Sequence, residues 1–342
     1  MLSTTINNLI SDLKPRQKEV LVGRFGLLDG EKKTLASLGE KYDITRERVR
    51  QIEEEALKMA QERLAKEKAS EEILNSITSH LNNLGGLRRD DLFVPEIKII
   101  LKDNNLHHWH LRFLSEISGQ PLYYPDNSDF HNFWYLDKKN IGIVSRFILR
   151  LEKLIANKKE DLVVLQKFDT YFIKTARAHN IPDFIGLNYI SISRKFNINP
   201  FGDWGLNDWE EINPKTVREK SYLILKKQGQ PLHFREIAEA INKTGFAGRL
   251  AHPQTVHNEL IKDPRFVLVG RGIYGLAEHG FRPGISREII SQILKEEGPL
   301  PLEKIIDLVQ KQRFLKNNTI ILNLQNKKYF KKLGDGRYYI RQ

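Results

Sequence analysis

Two apolar faces with helical spacing, separated by a short break, lie in the stretch Thr34-Leu-Ala-Ser-Leu-Gly-Glu-Lys-Tyr-Asp-Ile-Thr-Arg-Glu-Arg-Val-Arg-Gln-Ile-Glu53. Leu35, Leu38 and Tyr42 form the first face, and the second face begins at Val49. Two short helices joined by a tight turn form a helix-turn-helix. The pattern therefore predicts that fold for the N-terminal part of the chain.

The second helix of the pair is predicted to begin directly after Thr45. A threonine at this position can accept a hydrogen bond from a free backbone N–H group of the first turn. The side of this helix opposite its apolar face carries two i,i+4 pairs of polar side chains: Arg46 with Arg50, and Glu47 with Gln51. Arginine, glutamine and glutamate can bond to guanine, adenine and cytosine in the major groove, which accepts one helix. The composition favours a helix that reads DNA, and an ordinary charged amphipathic helix is the alternative.

The segment from about residue 13 to residue 59 resembles region four of the primary sigma-factor family of bacterial RNA polymerase. The residues that carry the resemblance are LVGRFG at 21–26, Thr34-Leu35, and above all DITRERVRQIE at 43–53. In that family the module docks on the polymerase flap and reads the upstream promoter hexamer, a TTGACA-like sequence, in double-stranded DNA. The resemblance implies base contacts by Arg46, Glu47 and Gln51, and phosphate contacts by Thr34, Thr45, Arg48 and Arg50.

The sequence departs from a complete sigma factor in one large respect. A sigma factor precedes this module with long helical regions that recognise and melt the downstream promoter hexamer. No equivalent tract follows or precedes the module in this sequence. We therefore expect promoter-type recognition without autonomous promoter opening.

A second module, at residues 217–278, resembles the HARE-type winged helix. The resemblance is carried by PLHFREIA at 231–238, Thr255-Val256, and DPRFVLVGRGIYGL at 263–276. This family includes the polymerase delta subunit, chromatin-associated proteins and parts of restriction systems, and some members act through protein contacts. If the module binds DNA, the expected contacts are the outward residues of a third helix over 253–262 and the tip of the wing: Gln254, Thr255, His257, Asn258 and Arg271.

The segment after residue 280 repeats the order of elements in this module. Residues 231–237 parallel 299–305, and residues 270–274 parallel 334–338. Each copy ends in two strands around a Gly-x-Gly turn, which predicts a second winged helix. Basic residues around this second wing are candidate DNA contacts, although they can equally serve to solvate an exposed hairpin: Lys327, Lys328, Lys331, Lys332 and Arg337.

The chain of 342 residues is long enough for several domains, and the patterns predict a mainly α, multidomain protein with small β-hairpins. The predicted order is a helix-turn-helix over 1–68, a helical linker over 69–84, a helical middle domain without a functional signature over 85–200, a linker over 201–216, the HARE-type winged helix over 217–280, and a second winged-helix-like domain over 281–342.

Composition limits the classes of partner. The formal net charge is +12, and the excess lies mainly after residue 216, which favours a polyanionic partner such as nucleic acid. The absence of cysteine excludes disulfides and thiolate sites. We see no secretory leader and no apolar stretch of about 20 residues, so we expect a cytoplasmic, nucleoid-associated protein without a membrane partner.

Three motifs that hint at other chemistry are set aside. The Gly-x-Gly-x-x-Gly spelling at 270–275 is followed by a strand-like segment, so it predicts a hairpin turn and not a dinucleotide site. The cluster His107-His-Trp-His110 lacks further metal ligands, and Glu96-Ile-Lys98 is only half of a nuclease motif. We therefore expect no enzyme activity, no metal, no cofactor and no small-molecule substrate.

The function expected from the sequence is a sigma-like, DNA-binding transcription protein that recognises a promoter-type sequence and modulates initiation with RNA polymerase. One alternative is a polymerase-associated protein whose winged helices bind protein, in the manner of the delta subunit. A restriction-type nuclease accessory is a further alternative.

Overall fold

The computed structural model of the chain describes residues 1–341. They form two compact units, one of residues 1–197 with 204–207, and one of residues 198–203 with the chain from 208 onward. Helices dominate both units, and the strands are short and antiparallel. The predicted class, a mainly α multidomain protein with small hairpins, is confirmed.

The first unit begins with five helices. Pro15 occupies the first turn of the second helix, where its missing N–H group costs nothing, and Gly26 ends that helix with a φ of 65°. The five are α1 (Leu2–Ser11), α2 (Pro15–Phe25), α3 (Leu35–Tyr42), α4 (Arg46–Leu64) and α5 (Lys68–Asn83).

The rest of the first unit mixes helices with short strands. Strand β3 lies between β1 and β2 in one sheet, so that Tyr135 pairs with Leu87 on one side and with Leu122 on the other. Strands β4 and β5 form a separate pair. The elements are β1 (Leu87–Arg89), α6 (Asp90–Ile100), α7 (His108–Ser118), β2 (Leu122–Tyr124), β3 (Phe133–Tyr135), α8 (Lys138–Ile155), α9 (Lys159–Val163), α10 (Phe168–Ala178), α11 (Asp183–Ser191), β4 (Phe196–Ile198) and β5 (Trp204–Leu206).

One apolar core joins the N-terminal helices to the middle region. It contains Ile6 of α1, Phe93 of α6 and Phe113 of α7, all fully buried. The segment 69–84, which we predict to be a helical linker, is helical as α5. Its apolar residues recur every four positions and are buried in the same core, because i,i+4 spacing keeps them on one face: Ile73, Ile77 and Leu81. The segment therefore packs as part of the unit.

A polar contact also holds these parts together. The buried carboxylate of Asp103, which follows α6, accepts hydrogen bonds from the backbone N–H of Ser3 at 2.8 Å and from its hydroxyl at 2.8 and 2.9 Å. Ser3 lies in the first turn of α1, whose N–H groups have no partner within the helix. Asp103 thus caps this helix from 100 residues away.

The second unit contains two similar modules in sequence order. In the first, β8 lies between β6 and β7, and the pair β7 and β8 forms the predicted wing. In the second, β9 and β10 form the wing. The elements are α12 (Val217–Gln228), β6 (Leu232–His233), α13 (Phe234–Thr244), α14 (Pro253–Lys262), β7 (Phe266–Gly270), β8 (Ile273–Leu276), a 3-10 helix (Ala277–His279), α15 (Ser286–Glu297), α16 (Leu302–Gln312), α17 (Asn317–Leu324), β9 (Phe330–Lys332) and β10 (Tyr338–Ile340).

The two modules are docked through the loop that follows α16. The backbone N–H of Phe314 donates to the carbonyl of Val269 in β7 at 2.8 Å. The neighbouring side chain of Arg313 is only 4% exposed, and its guanidinium donates to three backbone carbonyls, those of Leu268, Arg282 and Gly284. The second module is therefore attached to the outer strand of the first wing.

Candidate DNA-binding surface

The corner between α3 and α4 is tight. Asp43 ends α3 in the left-handed region, with a φ of 53°, and the backbone N–H of Ile44 donates to the carbonyl of Gly39 at 3.0 Å. A Cβ atom on Gly39 would lie 2.8 Å from the carbonyl oxygen of Ile44, closer than carbon and oxygen can approach. The turn of the helix-turn-helix thus requires glycine at position 39.

The second helix is held against the first by a small core of its own. Val49 and Ile52 of α4 pack with Leu38 of α3 and Val20 of α2, and all four side chains are buried. At the start of α4 the hydroxyl of Thr45 accepts a hydrogen bond from the N–H of Arg48 at 3.1 Å, as predicted for an N-cap. These contacts fix which side of α4 faces outward.

The outward side of α4 carries the polar residues that the sequence singles out. Each of the predicted base-contacting and phosphate-contacting side chains on this helix is exposed: Arg46, Glu47, Arg48, Arg50 and Gln51. Thr34 and Thr45, the N-cap residues of α3 and α4, are exposed as well. The Thr34 hydroxyl accepts from the N–H of Ser37 at 3.1 Å.

Four of these side chains bond to one another. The guanidinium of Arg50 donates to the carboxylate of Glu47 from Nη2 at 2.6 Å, and also pairs with Glu54. The guanidinium of Arg48 donates to the amide oxygen of Gln51 at 3.0 Å. The Arg50 hydrogen bonds lower the pKa of Glu47, which favours its ionised, acceptor form. Each arginine predicted to bind phosphate thus holds a residue predicted to read a base.

A further contact, which the sequence did not predict, holds α4 against α2. The guanidinium of Arg24 in α2 donates from Nε to the carboxylate of Glu53 at 3.0 Å, and from Nη1 to the backbone carbonyl of Lys33 at 2.8 Å. Arg24 therefore connects α2, the loop before α3, and α4. Its position inside the stretch LVGRFG, which carries part of the sigma-type resemblance, was the one available signal.

The third helix of the first winged helix, α14, presents part of the predicted set. Val256 and Leu260 are fully buried, as expected. Three predicted contacts are exposed on the other side, and so is the wing-tip residue: Gln254, Thr255, Asn258 and Arg271. His257 is placed differently, because its Nδ1 lies 3.1 Å from the hydroxyl of Tyr274 and its ring packs on Phe234; it is half-buried inside the module.

The predicted basic residues of the second wing are all exposed: Lys327, Lys328, Lys331, Lys332 and Arg337. Lys331 and Lys332 are neighbours in β9, so their side chains point to opposite faces of the hairpin. Arg337 is paired with Asp335 at 2.6 Å. A cation outside the predicted set, Arg287 of α15, stacks over the ring of Tyr329 at 4.0 Å.

The structure gives ordinary structural roles to two of the motifs that the sequence analysis set aside, residues 270–275 and Glu96. Residues 270–275 form the turn and second strand of the first wing, as predicted. Glu96 pairs with Arg88 and lies 2.9 Å from the Nε2 atom of His80. Within residues 1–341 no three histidine, aspartate or glutamate side chains are grouped for metal binding, and no helix there has the length and apolarity needed to cross a bilayer.

Comparison with known proteins identifies two segments. The family model "Sigma-70, region 4" matches residues 9–59. The HARE-HTH family model, whose description includes "ASXL, restriction endonuclease HTH domain", matches residues 215–279. Both predicted resemblances are confirmed. The chain thus carries a sigma-70 region 4 module and a HARE-type helix-turn-helix module, and both are domains of DNA-binding, transcription-related families.

Curated proteins with similar sequences match a short part of the chain. RNA polymerase sigma factor SigA of Microcystis aeruginosa is 45% identical over 58 residues, which are 17% of this chain and 14% of that protein. RNA polymerase sigma-B factor of Nostoc sp. is 49% identical over 57 residues, 17% of each chain. The chain therefore spans about one sixth of the length of the curated relatives it matches. Their similarity supports DNA binding of the sigma type and does not extend to the functions of a full sigma factor.

Proposed function

We propose that this protein binds double-stranded DNA through α4 and recognises a promoter-type sequence in the major groove. One observation carries the proposal: Arg46, Glu47 and Gln51 stand together on the outward side of a capped helix whose opposite side is buried. The match to the sigma-70 region 4 family model, residues 9–59, includes this stretch. The bases contacted by such side chains are read through hydrogen bonds to their major-groove edges.

DNA binding changes the pairing on α4 in a defined way. In the free protein Arg50 holds Glu47, and Arg48 holds Gln51. A DNA phosphate competes for each guanidinium, since a phosphate offers an arginine two strong acceptors. When the arginines turn to the backbone, Glu47 and Gln51 are released toward the bases. The phosphate contacts and the base contacts of this helix are therefore made together.

The protein acts, under this proposal, at promoters with RNA polymerase, and it modulates initiation at the nucleoid. The flap of the polymerase is the docking site implied by the resemblance to region four. The two winged helices add weaker contacts to the same duplex, and linkage of several weak binders raises their effective concentration there.

The test is selection of bound duplexes from a random library by the whole protein. We expect a TTGACA-like hexamer to be enriched. A pool that stays random after repeated rounds contradicts sequence recognition by α4.

A second candidate function is supported by the first winged helix. His257 is turned into the module and does not stand on its outer face, which reduces the DNA-contacting surface of α14. A module of this family can bind protein instead. Co-purification with core RNA polymerase after DNase treatment, together with failure of the whole protein to retard duplex DNA, would favour this function.

A further inference from the structure

A cluster of positive charge lies where the middle region meets the helix-turn-helix. The loop between α2 and α3 packs on α7: Gly30 is so close to Trp109 that a Cβ atom on it would lie 2.7 Å from the indole ring. Phe25, at the end of α2, makes an edge contact with Phe113 of α7 at 5.2 Å between ring centres. Arg112 lies on α7 between Trp109 and Phe113 in the sequence.

The packing of Gly30 on Trp109 brings the loop that carries Lys32 against α7, which carries Arg112, and Arg24 donates to the carbonyl of the next residue, Lys33. Burial lowers the pKa of Lys32, and the charges of Arg112 and Arg24 lower it further. The carboxylate of Glu53 already pairs with Arg24. Lys32 and Arg112 are thus brought together by the packing of α7 on the loop, although their mutual repulsion opposes it.

The position of this cluster indicates what it binds. Lys32 is two residues before Thr34, the N-cap of α3, and the Nη1 atom of Arg24 donates to the carbonyl of Lys33 between them. In a helix-turn-helix the first helix crosses the sugar–phosphate backbone while the second enters the major groove. The N-terminus of α3 and the residues before it therefore lie beside the DNA backbone when α4 reads bases.

We propose that Lys32 and Arg112 form a phosphate-binding surface for the DNA backbone next to the hexamer, and that the middle region thereby extends the footprint of the helix-turn-helix. This inference rests on the proposed function, since it needs a duplex seated on α4. Arg112 is half-buried and stacks over the ring of Tyr123 at 4.1 Å, which fixes its guanidinium in advance of binding. Phosphate binding also offsets the repulsion within the cluster.

The test measures how the affinity of the full chain for a short duplex carrying TTGACA depends on salt. Each phosphate contact adds about 0.9 to the slope of log affinity against log salt, which is about a threefold loss per contact between about 50 and 200 mM. We expect Lys32→Gln and Arg112→Gln each to reduce the slope by about this amount, and Arg112→Lys to keep most of it. Matched controls are Lys174→Gln and Arg150→Gln, exposed cations on α10 and α8.

Stability provides a second readout. Lys32→Gln relieves repulsion, so its free energy of unfolding should equal or exceed that of the wild type; a fall would indicate a structural role. Unchanged slopes in both glutamine variants, with a wild type that prefers the hexamer, overturn the inference and leave the proposed function intact. If the wild type binds the hexamer and a scrambled duplex equally, and the two glutamine variants still have a reduced salt slope, base reading is overturned and the phosphate surface is supported. No duplex binding by the wild type overturns both.

Discussion

The guanidinium of Arg24 and the carboxylate of Glu53 meet at 3.0 Å and join α2 to the middle of α4, the second helix of the helix-turn-helix. Both side chains are partly withdrawn from water, with 29% and 13% of their surfaces exposed. The same arginine holds the carbonyl of Lys33, so the ion pair also fixes the loop that leads to α3. The pair thus ties α4 to a residue 29 positions earlier in the chain.

We expect this pair to be energetically coupled. A double-mutant cycle with Arg24→Met and Glu53→Gln, measured by urea unfolding, should give a coupling of about 1 kcal/mol, more than an exposed pair gives. The same cycle on Lys311 and Asp307, an exposed pair on α16, serves as the control. Equal coupling for the two pairs would show that Arg24 and Glu53 do not hold α4.

Base reading by α4 predicts a specific loss in two variants. Arg46→Ala and Gln51→Ala should each reduce discrimination between the preferred and a scrambled duplex by about 1–3 kcal/mol, because each removes a base contact. Binding titrations with both duplexes provide the measurement, with Lys58→Ala, an exposed residue farther along α4, as the control. If each variant weakens binding to the two duplexes equally, these side chains do not read bases.

The second wing predicts an effect on salt dependence and not on sequence preference. Alanine in place of Lys327, Lys328, Lys331 and Lys332 together should make the salt slope shallower, by about 0.9 for each lysine that contacts phosphate. Because Lys331 and Lys332 point to opposite faces, the two single variants identify the face that lies on DNA. Lys304→Ala on α16 is the control, and a slope that stays at the wild-type value excludes phosphate contact by this wing.

Docking of the two winged helices predicts a loss of stability in an Arg313 variant. Arg313→Met removes the donor from three backbone carbonyls, and leaving a buried polar group unpaired costs about 1–3 kcal/mol. Urea unfolding should therefore show a loss of at least about 2 kcal/mol. Arg249→Met, at an exposed arginine of the first module, should show almost none. Matching midpoints for the two variants would contradict the importance of this contact.

His110 predicts a dependence of stability on pH. Burial lowers the pKa of its imidazole to about 4, and the charge of His107 adds to this effect. In the unfolded chain the pKa is about 6.5, so between about pH 6.5 and pH 4 the unfolded state takes up a proton that the folded state refuses. The contribution of neutral His110 to the free energy of unfolding is therefore fully present above about pH 6.5. It is lost as the pH drops toward about 4, and the loss is on the order of 3 kcal/mol.

The measurement is urea unfolding of the wild type and of His110→Asn at intervals from about pH 7 to about pH 4. Subtracting the variant removes the contribution of carboxylates, which titrate in the lower part of the range. Parallel curves for the two proteins would show that His110 is not the group responsible.

The sequence predicts those features whose causes lie close together in the chain. The N-cap at Thr45, the apolar face of Val49 and Ile52, and the exposed row from Arg46 to Gln51 follow from helical periodicity. The Gly-x-Gly wings follow from turn chemistry. Each of these is visible within about ten residues.

Features that depend on contacts between distant residues could not be predicted from the sequence. The contact of Asp103 with Ser3 spans 100 residues, and the packing of Gly30 on Trp109 likewise joins distant parts of the chain. In both contacts, the sequence around one residue gives no indication of its distant partner. The inward turn of His257 depends on Tyr274 across the module, and periodicity alone placed it nearer solvent. The roles of α4 and both wings in DNA contact stay predictions for the experiments above.

The loop carrying Phe314 has a consequence for solubility. An unpaired strand edge offers its N–H and C=O groups to any other chain, and such edges promote edge-to-edge aggregation. In this chain the carbonyls of Leu268 and Val269 accept hydrogen bonds from Arg313 and Phe314. These two groups at the edge of the first wing are therefore not available to pair with another strand. A fragment ending at residue 280 would expose that edge, together with the half-exposed side chain of Leu268, and should self-associate more strongly than the whole protein.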